Sequence, residues 1–156
     1  MTQSGIYEFL AQDRVIFGRP ARDAIVETAD KLGKRQLLIV ASKTLSRRTD
    51  VIAGIKEALG DPCAGVFDEC VEHVPRSSVL RLAATIKRLQ PELIVTVGGG
   101  TPMDTVKVML VCLAENITST ETLGDYYIRA KPDGTREVKP VGSPAPPSAD
   151  TETDDA

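Results

Sequence analysis

Short apolar runs alternate along the chain with longer stretches in which apolar residues recur every three or four positions. Ile6 to Phe9 and Arg14 to Phe17 are strand-like and flank the polar Ala11-Gln12-Asp13, which predicts a small opening hairpin or ribbon ended by Gly18. From Pro20 to Leu32, Ala21, Ala24, Ile25, Thr28/Ala29 and Leu32 form a helical stripe, with Pro20 suited to a first turn and Gly33 to the position past the end. Gln36 to Ala41 (QLLIVA) is a continuous apolar run of strand length, the kind buried on both faces of a parallel sheet. Asp50 to Leu59 reads as a second helix closed by Gly60, Cys63 to Phe67 as a strand, and Arg76 to Leu89 as a helix. Leu93 to Val97 (LIVTV) is another strand expected to be buried on both faces, and Pro102 to Glu115 a fourth helix.

Strand and helix alternate through three units, which predicts a doubly wound parallel α/β sheet with helices on both faces. No internal repeat is visible. After Asn116 the pattern weakens: Leu123 to Arg129 is an element of undecided type, and Lys131-Pro132-Asp133-Gly134 is a turn signal. The stretch from Pro140 to Ala156 holds four prolines and no large apolar side chain after Val141. It cannot bury enough surface to offset the entropy of ordering, so the expectation is a domain over 1–139 and a disordered acidic tail over 140–156.

Composition narrows the class. The 156 residues are enough for one domain with a sizeable core, and 42% hydrophobic with 26% charged residues is a globular composition. The longest apolar run, Val108 to Ala114, is far shorter than the roughly 20 residues a membrane span needs. The amino terminus lacks a basic start and a signal-length apolar stretch, and Cys63, Cys70 and Cys112 form an odd set without a CxxC pair. Reduced thiols in a cytoplasmic protein are expected. The formal charge of -3 includes four tail acids (Asp150, Glu152, Asp154, Asp155) unmatched by any Lys or Arg beyond Pro140, which leaves +1 for residues 1–139. A near-neutral body gives no nucleic-acid footprint, although Lys34, Arg35, Lys43, Arg47 and Arg48 cluster locally.

The chemically informative segment runs from Leu93 to Lys107. A strand enters Gly98-Gly99-Gly100 and then a helix, with Thr101 expected as N-cap and Pro102 at the first helical position. Glycines let backbone approach a phosphate with no Cβ in the way, and the free N–H groups at a helix start stabilise its charge. Two standard motifs are not met, because Met103 occupies the third glycine position of GxGxxG and no GK[ST] follows. By spacing alone the loop is either a phosphate cradle or a tight connection.

GGGTPMDTVK resembles the GGGS-x-x-D-x-x-K signature of the iron-type alcohol dehydrogenases, a superfamily that includes glycerol dehydrogenase, lactaldehyde reductase and maleylacetate reductase. Val15 to Gly18 is similar to the family's opening strand and glycine, Leu38 to Leu45 to its first nucleotide-domain strand and turn, and Val74-Pro75 to the stretch before its next helix. The resemblance implies a Rossmann-like NAD(P)-binding domain, followed in the family by a helical domain that holds one divalent metal through an Asp and three His or a close variant. It implies that Gly98, Gly99, Gly100 and Thr101 hold the pyrophosphate of NAD or NADP. Asp104 matches a position lining the cofactor, or is a first-turn carboxylate interacting with the helix dipole; Lys107 matches the motif, or is a solvated lysine. Ser42 stands where many members carry an Asp on the adenosine ribose, so discrimination against NADP is expected to be weak. Lys43, Arg47 and Arg48 either pair with a 2′-phosphate or are simply solvated.

The departures from the family are as informative. One histidine, His73, precedes a helix where the family has no ligand, and is expected to be structural and partly exposed. No three-histidine set exists, so the family's metal is not bindable by these residues. The Pro-Thr-Thr segment that follows the family's next strand is also missing, since after Pro147 the sequence runs Ser148 to Ala156. Two expectations follow. One is an oxidoreductase represented by an incomplete nucleotide-binding domain, inactive alone; the other is a non-catalytic remnant that binds nucleotide weakly, self-associates or pairs with a full-length relative.

Overall fold

The computed structural model describes residues 15–130 and 136–140. In chain order the elements are α1 (Ala21–Lys31), β1 (Leu37–Ser42), α2 (Lys43–Arg48), α3 (Val51–Leu59), β2 (Cys63–Cys70), α4 (Arg76–Leu89), β3 (Leu93–Val97), α5 (Gly100–Ala114), α6 (Thr120–Gly124), β4 (Tyr126–Ala130) and β5 (Arg136–Pro140). The first three strands form one parallel sheet in the order β2-β1-β3, and β4 and β5 pair antiparallel. The chain is therefore α/β with an incomplete parallel sheet, as its strand and helix periods imply.

The central strand explains the fold. Alternate side chains of a strand point to opposite faces, and β1 is buried from Leu37 to Ala41. Leu38 and Val40 enter a core with Phe67, Val79, Leu82, Met109 and Cys112, against α4 and α5. Leu37, Ile39 and Ala41 enter a second core with Ala29, Ile52, Ile55 and Leu59, against α1 and α3. A strand with apolar demands on both faces reads as the unbroken run LLIVA, because neither face meets water.

Local signals place most boundaries. α1 ends in paired bonds, from Gly33 N–H to Asp30 O at 3.0 Å and from Lys34 N–H to Ala29 O at 2.9 Å, made possible by the φ of +64° at Gly33. Pro20 is the N-cap of α1 rather than a first-turn residue, Asp50 that of α3, and Gly60 closes α3 with a φ of +60°.

Several expectations are corrected. Val15 to Phe17 form no strand; Val15 is 69% and Phe17 89% exposed, with no sheet neighbour among the described residues. The rest of the expected opening hairpin lies outside the described residues. β3 is half-buried along its whole length instead of buried on both faces, because it pairs only with β1 in the described sheet and its outer edge faces away. β2 continues past Phe67 to Cys70, and two short helices, α2 and α6, were not expected. The undecided element over Leu123 to Arg129 divides into the end of α6 and strand β4. The turn signal at 131–134 lies outside the described residues, between strands that pair antiparallel. The proposed tail beyond Pro140 also lies outside them.

Candidate functional site

Sheet topology fixes where a ligand can sit. From β1 the chain returns through α2 and α3 to β2 on one side, and then crosses by α4 to β3 on the other side of β1. The helices of these crossovers pack on opposite faces. In such sheets the crevice opens at the carboxyl ends of the two strands where direction reverses, here β1 and β3. Ala41 pairs with Val97, so the next residues, Ser42 and Gly98, are neighbours at that edge.

The three glycines differ in what the fold asks of them. Gly98 has a φ of +135°, and a Cβ there would lie 3.1 Å from Pro102 Cγ and 3.5 Å from Leu45 Cδ1. Both conformation and packing demand glycine at that position. Gly99 has an ordinary φ of -86°, and a Cβ on it would meet nothing within 4 Å. At Gly100 a Cβ would make only an ordinary 3.7 Å contact with Asp104 Oδ2. The fold itself thus gives no reason for glycine at 99 or 100, and both positions are exposed.

The helix start departs from expectation in its register. Gly99, not Thr101, is the N-cap of α5, and Pro102 is the third helical residue rather than the first. Proline is tolerated there because the first-turn N–H groups have no intrahelical acceptor in any case. No side chain caps the helix. The amides left without an intrahelical acceptor are consequently those of Gly99, Gly100 and Thr101, since Pro102 has none to offer. Thr101 is half-buried; its carbonyl accepts the hydroxyl of buried Thr105 at 2.7 Å, which steadies the first turn from below.

Asp104 lies beyond the first turn, which corrects its reading as a dipole-facing carboxylate. Its Oδ1 accepts from Lys107 Nζ at 3.1 Å, and both side chains are more than half exposed. Lys107 is thus a solvated lysine with a surface partner, worth little in stability. Ser42 closes β1 and caps α2, its Oγ accepting from Leu45 N–H at 3.3 Å. This cap is what turns the chain out of the strand at the crevice.

Of the cations near Ser42, Arg47 is already engaged. Its Nε donates to Asp68 Oδ2 at 3.1 Å, so Asp68 is brought to the site by β2, 21 residues away in sequence. The guanidinium beside Asp68 holds that carboxyl below the ordinary carboxylate range, and the carboxylate in turn raises Arg47. Sequence reading missed Asp68; its signal is an acid near the carboxyl end of a parallel strand. Cys70 and Cys112 are buried and burial pushes both thiols up, away from thiolate reactivity. His73 is exposed rather than partly so, with a left-handed φ of +63°.

The residues around the glycine loop fit an anionic ligand approached by backbone. They do not fit a metal: no group of three or more His, Cys, Asp and Glu converges among the described residues, and the sequence holds one His. No helix among the described residues is long and apolar enough to cross a membrane.

Comparison with known proteins agrees with this arrangement. The sequence matches the family model for iron-containing alcohol dehydrogenase over residues 12–152. Dehydrogenase FUM7 of Gibberella moniliformis is 30% identical over 119 residues, which is 76% of this chain and 28% of that protein. Maleylacetate reductase 2 of Cupriavidus pinatubonensis is 32% identical over 96 residues, 62% of this chain and 26% of that one. The solved structure of maleylacetate reductase from Agrobacterium tumefaciens superposes with a TM-score of 0.59 at 19% identity, covering 89% of this chain and 40% of that chain; this is a likeness of fold. The chain spans about a quarter of the length of these curated relatives. With a family match across most of its length, and a parallel sheet that delivers the glycine loop to the crevice, the chain belongs to the iron-containing alcohol dehydrogenase family.

Proposed function

We propose that the chain is the dinucleotide-binding part of an oxidoreductase that passes hydride between NAD or NADP and an alcohol or carbonyl carbon. The observation that carries the reading is the glycine at 99 and 100, which neither backbone conformation nor packing requires. The reason for it lies outside the chain, in a group that must come close. A pyrophosphate at the amides of Gly99, Gly100 and Thr101 supplies that reason, with Gly98 forming the turn beneath and the helix dipole of α5 favouring the charge. Ser42 faces the adenosine half, where its hydroxyl offers no charge to repel a 2′-phosphate. Asp104 sits one turn into α5 and borders the same crevice.

When bound, the nicotinamide carries the hydride. The metal of the family is not held by these residues, so the chain by itself binds cofactor without turning over substrate. Fluorescence titration with NADH and NADPH tests the reading. Binding is expected to be weak and to discriminate little between the two; Gly99→Val is expected to abolish it, and Ser42→Asp to shift preference toward NADH. Aspartate caps a helix as well as serine, so the second variant leaves α2 intact. Absence of any binding, or a Gly99→Val chain that binds like the parent, refutes the proposal.

A second reading is favoured by surface. Met103 and Leu110 of α5 are 45% and 51% exposed, and β3 is half-buried along an edge without a partner among the described residues. Apolar surface of this sort marks contact faces, which suits a non-catalytic chain that self-associates or pairs with a full-length relative. Light scattering decides it: a freely soluble monomer that unfolds cooperatively counts against this reading.

A further inference from the structure

Beside Ser42, on the side away from the glycine loop, the carboxyl ends of β1 and β2 enclose a cavity of about 170 Å³. Ser42 pairs with Cys70 in register, so the cavity lies one strand across from the crevice between β1 and β3. Strands are about 4.8 Å apart, which puts the cavity within reach of the adenosine ribose of a dinucleotide whose pyrophosphate rests on α5. It is smaller than the ~300–1,000 Å³ of pockets that take a whole ligand, and suits a single substituent.

Its walls are charged. Lys43, Arg47 and Arg81 contribute cations, and Asp68 and Glu69 carboxylates. Arg81 Nε lies 2.8 Å from Glu69 Oε2, and Arg47 Nε 3.1 Å from Asp68 Oδ2. Lys43 makes no ion pair among the described residues. Asp68 is the less exposed partner of its pair, at 23% against 57% for Arg47, so the aspartate is the fixed member and the arginine the tethered one.

We infer that Asp68 is a specificity-determining residue: by holding Arg47 as an ion pair at the mouth of this cavity, it withholds a second cation from the 2′-phosphate of NADP. The inference rests on the dinucleotide reading above. In many doubly wound proteins an acid at the end of a strand beside the one that carries the glycine-rich turn meets the ribose directly. Here Ser42 occupies that end, and the acid acts from the neighbouring strand, through the charge it neutralises. Lys43 remains to tolerate a 2′-phosphate, so the parent chain is expected neither to reject NADPH nor to prefer it strongly.

Opposite changes are expected from the two partners. In Asp68→Asn the freed Arg47 meets the 2′-phosphate, and NADPH affinity rises about tenfold at low salt, as for a gained charge-assisted hydrogen bond, while NADH affinity stays within twofold. In Arg47→Ala the carboxylate is left facing the cavity, and NADPH affinity falls several-fold with NADH again little changed. Circular dichroism verifies that each variant is folded, and either variant alone decides the question if the other fails to fold. The measurement is fluorescence titration of the full chain with NADH and NADPH. An unchanged NADPH to NADH ratio in a folded variant, or equal shifts for both cofactors, overturns the role of Asp68 and leaves the dinucleotide reading standing. If the parent binds neither cofactor, that reading falls and this inference with it.

Discussion

The contrast between Gly98 and Gly99 allows adjacent substitutions to fail in different ways. In Gly98→Ala the backbone stays at a φ of +135°, outside the small left-handed region open to other residues. The methyl group also lies 3.1 Å from the ring of buried Pro102. A strained backbone of this kind costs about 1–3 kcal/mol, and forcing a methyl into a packed contact a comparable amount. Together these amount to roughly 2–6 kcal/mol, which lowers Tm by ~5–20 °C in a domain of this size. Gly99→Ala meets neither penalty. Reduced unfolded-state entropy favours it by some tenths of a kcal/mol, and the poorer N-cap opposes by a similar amount, so stability stays within about 0.5 kcal/mol of the parent. Its loss is in binding, since the methyl stands where the pyrophosphate approaches; a tenfold or greater drop in NADH affinity is expected. Urea unfolding followed by circular dichroism, with NADH titration on the same samples, measures both quantities. If Gly99→Ala unfolds as early as Gly98→Ala, or binds NADH as tightly as the parent, the division of roles between these glycines is wrong.

Three further outcomes can be checked. Ser78 is buried and its Oγ donates to Glu69 O at 2.7 Å, joining α4 to β2; Ser78→Ala leaves that carbonyl without its donor, and urea unfolding should register a loss of about 1–3 kcal/mol. Asp68 is held below the ordinary carboxylate range by Arg47 first, with Ser46 assisting. Its contribution is therefore present above the unfolded-state pKa of about 3.9 and is lost as pH falls through the lower folded value. Below about pH 4 the stability difference between parent and Asp68→Asn should shrink toward zero, from the modest ~0.2–1 kcal/mol of such a surface pair at neutral pH. Metal analysis after dialysis against chelator should find no stoichiometric iron or zinc on this chain; one tightly held ion per chain would contradict the ligand count.

Much of the sheet was legible because its demands are periodic. A strand packed on both faces must be apolar throughout, and Leu37 to Ala41 are; helices with one buried face repeat at three and four, and Arg76 to Leu89 is bounded as the pattern predicts. The same rule misjudged β3, because LIVTV looks like a central strand whether or not its outer edge is covered. α2 was invisible for a different reason: at six residues it has too few turns to show a period, and it is set by one serine cap. At the crevice, the turn from strand through glycines to helix was readable, since these segments are contiguous in sequence, whereas Ser42 at the end of β1 was singled out through the family resemblance. The different roles of the glycines were not, because Gly98 is constrained by Leu45, 53 positions away, as well as by Pro102. Asp68 escaped notice for the same reason, its partner lying on another element.

The placement of β1 has a consequence for how the chain comes off the ribosome. Leu37 to Ser42 is made first, yet one sheet neighbour, β3, ends at Val97. At about 5–20 residues per second, the 55 residues separating Ser42 from Val97 take roughly 3–11 s to synthesise. For that interval the buried central strand of the described sheet lacks one of its two partners, as well as the α5 face that is translated later still. LLIVA is then a ready substrate for chaperones that bind extended apolar segments. Nascent chains arrested after Cys70 should be held by such chaperones more firmly than chains arrested far enough past Ala114 for α5 to have cleared the exit tunnel.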